Sequence, residues 1–190
     1  MHKFVVVSPP FSERSGGIMV LHDLCHALNA SGFPCGMIFI HGGNADEQNF
    51  QYAVSSEDSL YRSGGLSVKF SSNEEALDFI REGTVVYPDL IRGNPLGAQR
   101  TVRYVLNFSE ADFQGDYVLS FSKVYTSRAN YVLFKPFHHS AFTADGAPPW
   151  DSRSLNLTYI GKNDFKADSR IIDNTVLIER DWPRDKHQLA

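Results

Sequence analysis

Three consecutive valines, Val5-Val6-Val7, stand between Lys3-Phe4 and a Pro/Ser segment without alternating with polar residues. A strand that is apolar at every position is buried on both faces, which a covered parallel sheet provides and a half-solvated antiparallel sheet does not. The same unbroken character returns at Met37-Ile38-Phe39-Ile40 and at Thr84-Val85-Val86-Tyr87. Helical patterns separate these runs. The alternation predicts an α/β fold: a Rossmann-like, mostly parallel twisted sheet with helices on both faces, binding ligands beyond the carboxyl ends of its strands.

Between the first two runs, Ile18, Leu21, Leu24, Cys25 and Leu28 recur on one helical stripe, and Gly32 after Ser31 supplies a stop. Residues 41–65 are polar, contain two Gly pairs and show no period, so they read as a long excursion with a short helical turn. Residues 66–70 alternate like a strand. Ser72-Asn73-Glu74-Glu75 then resembles a capped helix start, with Ala76, Leu77, Phe79 and Ile80 as the buried face. Asn94-Pro95 places an N-cap residue before a first-turn proline, which predicts a helix over 95–106. Further strands are expected at 117–121, 130–134, 155–160 and 175–178. A linker near Ala147-Pro148-Pro149 divides the chain into 1–150 and 151–190.

Composition narrows the function classes. Apolar residues make up 42% of the 190, and no window reaches the roughly 18 consecutive apolar residues of a membrane span. A formal charge of −4 without a basic block argues against nucleic acid as the main partner. Cys25 and Cys35 are the only cysteines, too few for a disulfide framework. The N-terminus shows no signal-peptide core, so a cytoplasmic location is expected.

The first candidate site is the loop Ser12-Glu13-Arg14-Ser15-Gly16-Gly17, which follows the first strand and opens the first helix. Backbone amides at a helix N-terminus attract anions, and Gly16 and Gly17 let a phosphate approach without a Cβ in the way. Neither G-x-G-x-x-G nor G-x-x-x-x-G-K-[ST] is present, so a tight turn without a ligand is the competing reading. The second candidate is the loop after the Thr84 strand, with Asp89, Arg92 and Asn94. Asp89 suits a sugar hydroxyl or a proton, and Arg92 suits an anion. Alternatively Asn94 only caps a helix, Gly93 and Gly97 only allow close packing, and the charges are solvated. His22, Cys25 and His26 share a helical spacing, but a packed thiol between two boundary histidines explains them better than a metal, and His138-His139 lack spaced partners. No metal or cofactor is called for. The G-x-S-x-G nucleophile elbow is absent as well.

Ser15-Gly16-Gly17-Ile18, Leu21 through Asn29 and Gly32-Phe33-Pro34 resemble the first βα unit of glycosyltransferases of the two-Rossmann-domain (GT-B) fold, of the kind that extends bacterial surface polysaccharides. Val85-Val86-Tyr87-Pro88-Asp89, Gly93 through Ala98 and Val102 through Asn107 are similar to a later stretch of the same enzymes, as are Ser120 through Tyr125 and Tyr159-Ile160-Gly161-Lys162. The resemblance implies that residues 1–150 are the acceptor-side domain, with Ser15, Gly16 and Gly17 toward a nucleotide-sugar diphosphate and Asp89, Arg92 and Asn94 on the cleft wall. A glycan would be the acceptor.

The sequence runs only to Ala190, whereas a second nucleotide-binding domain takes roughly a hundred residues or more. Residues 151–190 are therefore expected to be a linker and the start of an incomplete second domain, or a C-terminal extension. Two readings follow. The chain is either a transferase half completed by a partner chain, or a non-catalytic binding module that keeps the fold and self-associates through apolar tail residues such as Ile171, Ile172, Val176 and Ile178. A small α/β enzyme acting on a phosphate-bearing substrate is a third.

Overall fold

The computed structural model describes residues 1–40, 49–109 and 111–134, together with the backbone of two strands near the C-terminus. The chain divides into two compact units, Met1–Lys135 and Pro136–Ala190. In the first unit a seven-stranded sheet has the order β3-β2-β1-β4-β5-β6-β7. Its strands are β1 (Phe4–Ser8), β2 (Cys35–Ile40), β3 (Tyr52–Ala53), β4 (Thr84–Pro88), β5 (Thr101–Val105), β6 (Tyr117–Ser120) and β7 (Tyr131–Val132). All neighbours pair in parallel except β3, which runs antiparallel to β2. The fold is α/β.

Position in the sheet follows residue type. Val5, Val6 and Val7 have no exposed surface, and every residue of β2 and β4 is buried. These are three adjacent interior strands, where unbroken apolar runs belong. The edges, β3 and β7, are two residues long, which leaves little unpaired backbone to recruit another chain. Alternate residues of β1 join different packing clusters. Val6 packs with Val20, Leu21 and Cys25 of helix α1 (Gly16–Ala30), whereas Val5 and Val7 pack with Ala76 and Ile80 of helix α2 (Asn73–Glu82).

Both helices carry their ends in the sequence. Gly32, at φ 84°, donates to the Asn29 carbonyl at 3.0 Å and Phe33 donates to the Leu28 carbonyl at 2.9 Å. That pair of bonds is a Schellman motif, which needs the left-handed residue glycine supplies. At the start of α2 the Ser72 hydroxyl accepts from the Glu75 amide at 3.3 Å, while the Glu75 carboxylate accepts from the Ser71 amide at 2.8 Å.

Three expectations change. The helix over 95–106 does not form: residues 89–100 are an irregular loop and 101–105 are β5. Gly93 and Gly97, both at φ 63°, break any helical run, and Thr101-Val102 with Tyr104-Val105 prefer the pleated sheet. The strand at 66–70 shrinks to one parallel bridge, Val68 to Gly36, because the Phe70 ring turns inward and packs where a Gly36 side chain would stand. On α1 the burial is broader than the expected stripe, for Val20, His22 and Asp23 are buried while Ile18, Leu24 and Leu28 are only partly so. The short helical turn expected within 41–65 is a 3-10 turn, Asp58–Leu60. Residues 41–48 lie outside the described residues.

In the second unit the strands β8 (Asn156–Tyr159) and β9 (Thr175–Ile178) pair in parallel with each other. His138-His139, Ile160 to Lys162, Ile171, Ile172 and the 150/151 boundary lie outside the described residues. No helix among the described residues is long and apolar enough to cross a membrane.

Candidate functional site

The chain leaves β1 toward β2 and β3, then returns to β4 on the other side of β1. In an open α/β sheet the two loops that diverge at such a reversal leave a crevice at the strands' carboxyl ends. Here they are the loop 9–15 leading into α1 and the loop after β4.

The α1 end of this crevice is chemically bare. Ser15 sits in extended backbone at the N-cap, but its side chain makes no capping hydrogen bond, and the first turn holds no acidic residue. A Cβ on Gly16 would meet nothing within 4 Å, so that face is open. Amides and dipole at a helix start then remain available to an anion. A Cβ on Gly17 would lie 3.7 Å from Leu106, the residue after β5.

Leu106 also joins this helix start to Asp89. Its amide donates to Asp89 Oδ1 at 3.1 Å, and the Asp89 amide donates to the Tyr104 carbonyl at 3.2 Å. Asp89 is partly buried, and burial pushes its carboxyl above the usual range, against the pull of the Leu106 N–H, its own N–H and the Arg92 and Arg103 charges. A carboxyl so placed is poised to exchange a proton or to accept from a ligand hydroxyl. Ser15, Gly16, Gly17 and Asp89 are thus brought to one place.

Arg92 acts on Asp89 only through its charge, and Asn94 turns into its own loop. Arg92 is exposed with its guanidinium 5.5 Å from the centre of the Phe113 ring. Asn94 neither caps a helix nor faces the crevice amides: its Oδ1 accepts from the Ala98 amide at 3.0 Å and the Tyr87 hydroxyl at 3.0 Å, and its Nδ2 donates to the Ala98 carbonyl at 2.8 Å. The side chain closes the loop on itself.

Arg103 is the residue that sequence reasoning missed. Only 1% exposed on β5, it donates to Asp116 through Nε and Nη2 at 2.8 Å, to the Ile91 carbonyl, and to the Gly93 carbonyl at 2.7 Å. The rings of Tyr87 and Phe113 lie 4.9 and 5.3 Å from the guanidinium. Arg103 therefore fixes the loop that carries Asp89. A cation inside a strand demands a buried partner, but the helix expected over 95–106 hides that demand at Arg103.

A second group beside the loop 9–15 was also underread. His22, expected at the margin of the buried stripe beside Cys25, is 3% exposed and donates from Nε2 to the Pro9 carbonyl at 3.1 Å. His26 instead accepts from the Leu66 amide at 3.0 Å through Nδ1. Cys25 and Cys35 are free and fully buried, as packed thiols should be. Compared with protein-family models, with curated proteins and with solved structures, the chain finds no match.

Proposed function

We propose that the first unit is a Rossmann-like acceptor-side domain of a GT-B glycosyltransferase, with one helix on each face of its sheet. On this reading the α1 N-terminus faces the diphosphate of a nucleotide-sugar, and Asp89 receives the hydroxyl or the proton of a glycan acceptor. Transfer in surface polysaccharide synthesis then requires a second, nucleotide-binding domain, contributed by a partner chain or a homo-oligomer. One observation carries the reading: a helix start without cap or acid and a partly buried carboxyl meet through Leu106 at the β1/β4 reversal.

The test is calorimetric titration of pyrophosphate and nucleoside diphosphates into wild type and Gly16→Asp. The variant places a carboxylate where the ligand's charge would sit, into open space. A carboxylate in the first turn stabilises a helix by about 0.3–1 kcal/mol, so thermal stability should hold or rise. Binding should fall at least tenfold, roughly the effect of replacing attraction by repulsion at short range. Equal binding by the two proteins, or none by wild type, defeats the reading.

A non-catalytic interaction module is favoured by a different observation. Phe108, Val124 and Phe134 are 65%, 73% and 59% exposed. Large apolar side chains left in solvent would be covered by a partner or by a second copy. Light scattering that shows a strict monomer at high concentration counts against it.

A further inference from the structure

One of the bonds that tie the loop 9–15 to the body of the first unit ends on an ionisable ring. The Pro9 carbonyl accepts from His22 Nε2 at 3.1 Å and from the Ser8 hydroxyl at 2.9 Å, and the Phe11 amide donates to the Leu60 carbonyl at 2.9 Å. The His22 ring lies edge-on to Phe11, with centroids 5.2 Å apart, and stacks on Phe39 of β2 at 6.3 Å. Because a carbonyl can only accept, Nε2 carries the proton and Nδ1 is a bare lone pair. Among the described residues Nδ1 has no hydrogen-bond partner, although it is buried. A neutral imidazole tolerates this. An imidazolium does not, for it would bury a charged N–H without an acceptor.

We propose that His22 is a proton-operated latch on the loop after β1: neutral, it holds the Pro9 carbonyl and the Phe11 ring in place, and protonated, it leaves its slot and lets the loop open.

The surrounding charges do not rescue the protonated ring. Two charged groups face it, Asp23 on α1 and Arg62 after the 3-10 turn, and these are paired with each other at 2.6 Å. Their influences on the ring oppose one another, and the Pro9 carbonyl adds a smaller pull toward the proton. Tyr61 stands behind Phe39, with ring centroids 5.0 Å apart, and its hydroxyl donates to the Ser55 carbonyl. Burial is the largest influence and depresses the ring's proton affinity below the ordinary value of 6.5. The sign follows. A base depressed in the closed state binds its proton more tightly once the loop is open, so acid favours opening. The loop ends at Ser15, so opening also disturbs the start of α1 whether or not that start binds a diphosphate.

The experiment reads the loop itself. Amide hydrogen exchange, corrected for intrinsic rates, is followed at Phe11 in the full chain between about pH 7.5 and pH 5.5. The Phe11 amide should lose about tenfold in protection over that range, the change expected when the open form alone takes up one proton with an ordinary histidine affinity. Amides of β2 should not change. His22→Gln keeps a donor for Pro9 and cannot be protonated, so its Phe11 protection should be flat. Constant protection in wild type overturns the latch, and so does an equal loss in H22Q, because either result separates opening from this ring. If H22Q fails to fold, the wild type decides: the His22 ring of the closed protein, followed by NMR, must titrate below the ordinary 6.5, and titration at or above that value overturns the proposal.

Discussion

The loops on either side of the β1/β4 reversal are built in opposite ways. After β4, residues 89–98 are pinned from within by Asn94 and from below by Arg103, which is itself locked to Asp116. After β1, residues 9–15 are held in part by the ionisable His22 and deliver a helix whose first turn has neither a side-chain cap nor an acid. The difference teaches where this fold invests its polar chemistry: one loop is pinned by buried side-chain bonds, and the other opens a helix without a side-chain cap. Such asymmetry suits a site in which a fixed carboxyl meets a mobile anion.

Breaking the rigid wall should have the largest effect. Arg103→Met removes the cation from a pair whose side chains are 1% and 8% exposed, leaving Asp116 charged and unmatched. Orphaning one member of a buried pair costs about 3–5 kcal/mol, which urea denaturation should register. A loss below about 1 kcal/mol would mean that water or relaxation replaces the arginine, and that the loop is not pinned as described.

The next contrast sets the two helix starts against each other. Ser72 caps α2 through the Glu75 amide, and Glu74 and Glu75 stand in its first turn. Ser72→Ala should therefore cost about 1 kcal/mol. Ser15→Ala removes no hydrogen bond and should change stability by less than about 0.5 kcal/mol. Equal losses for the two variants would show that Ser15 caps α1 in solution, and the open helix start would disappear with it.

These particulars show what the sequence made legible. Unbroken runs located β1, β2 and β4, and Ser72 and Gly32 located helix ends, because each of those signals acts within a few residues. Asn94-Pro95 carried a true turn signal, yet the asparagine's bonding capacity closes a loop rather than a helix, through Tyr87 seven residues before it and Ala98 four residues after. Arg103 and His22 escaped for the same reason. Their roles depend on Asp116, Ile91, Gly93 and Pro9, and local spacing encodes none of those meetings. Gly16 and Asp89 were each legible as candidates, but Leu106, which joins them through Gly17, was not.

The smallest expected effect is the most diagnostic for the carboxyl at the crevice. Asp89 is held above its ordinary value of 3.8 by burial. A raised carboxyl takes up its proton more readily folded than unfolded, so its favourable contribution is complete below 3.8 and is lost as the pH rises through the folded value. At neutral pH the charged form is then a local burden on the fold. Asp89→Asn keeps an oxygen to accept from the Leu106 amide and cannot ionise. It should stabilise the protein at neutral pH by up to about 0.5 kcal/mol, the usual scale for a change away from the core. The advantage should shrink as the pH falls through the folded value and vanish near 3.8, which a series of thermal melts across that range will show. An advantage that stays constant with pH would come from something other than the charge, and a destabilised variant would mean that the carboxylate is held by bonds strong enough to make it structural. If stability rises while binding to the crevice falls, Asp89 is a group the fold retains at a cost to itself, as expected of a functional carboxyl.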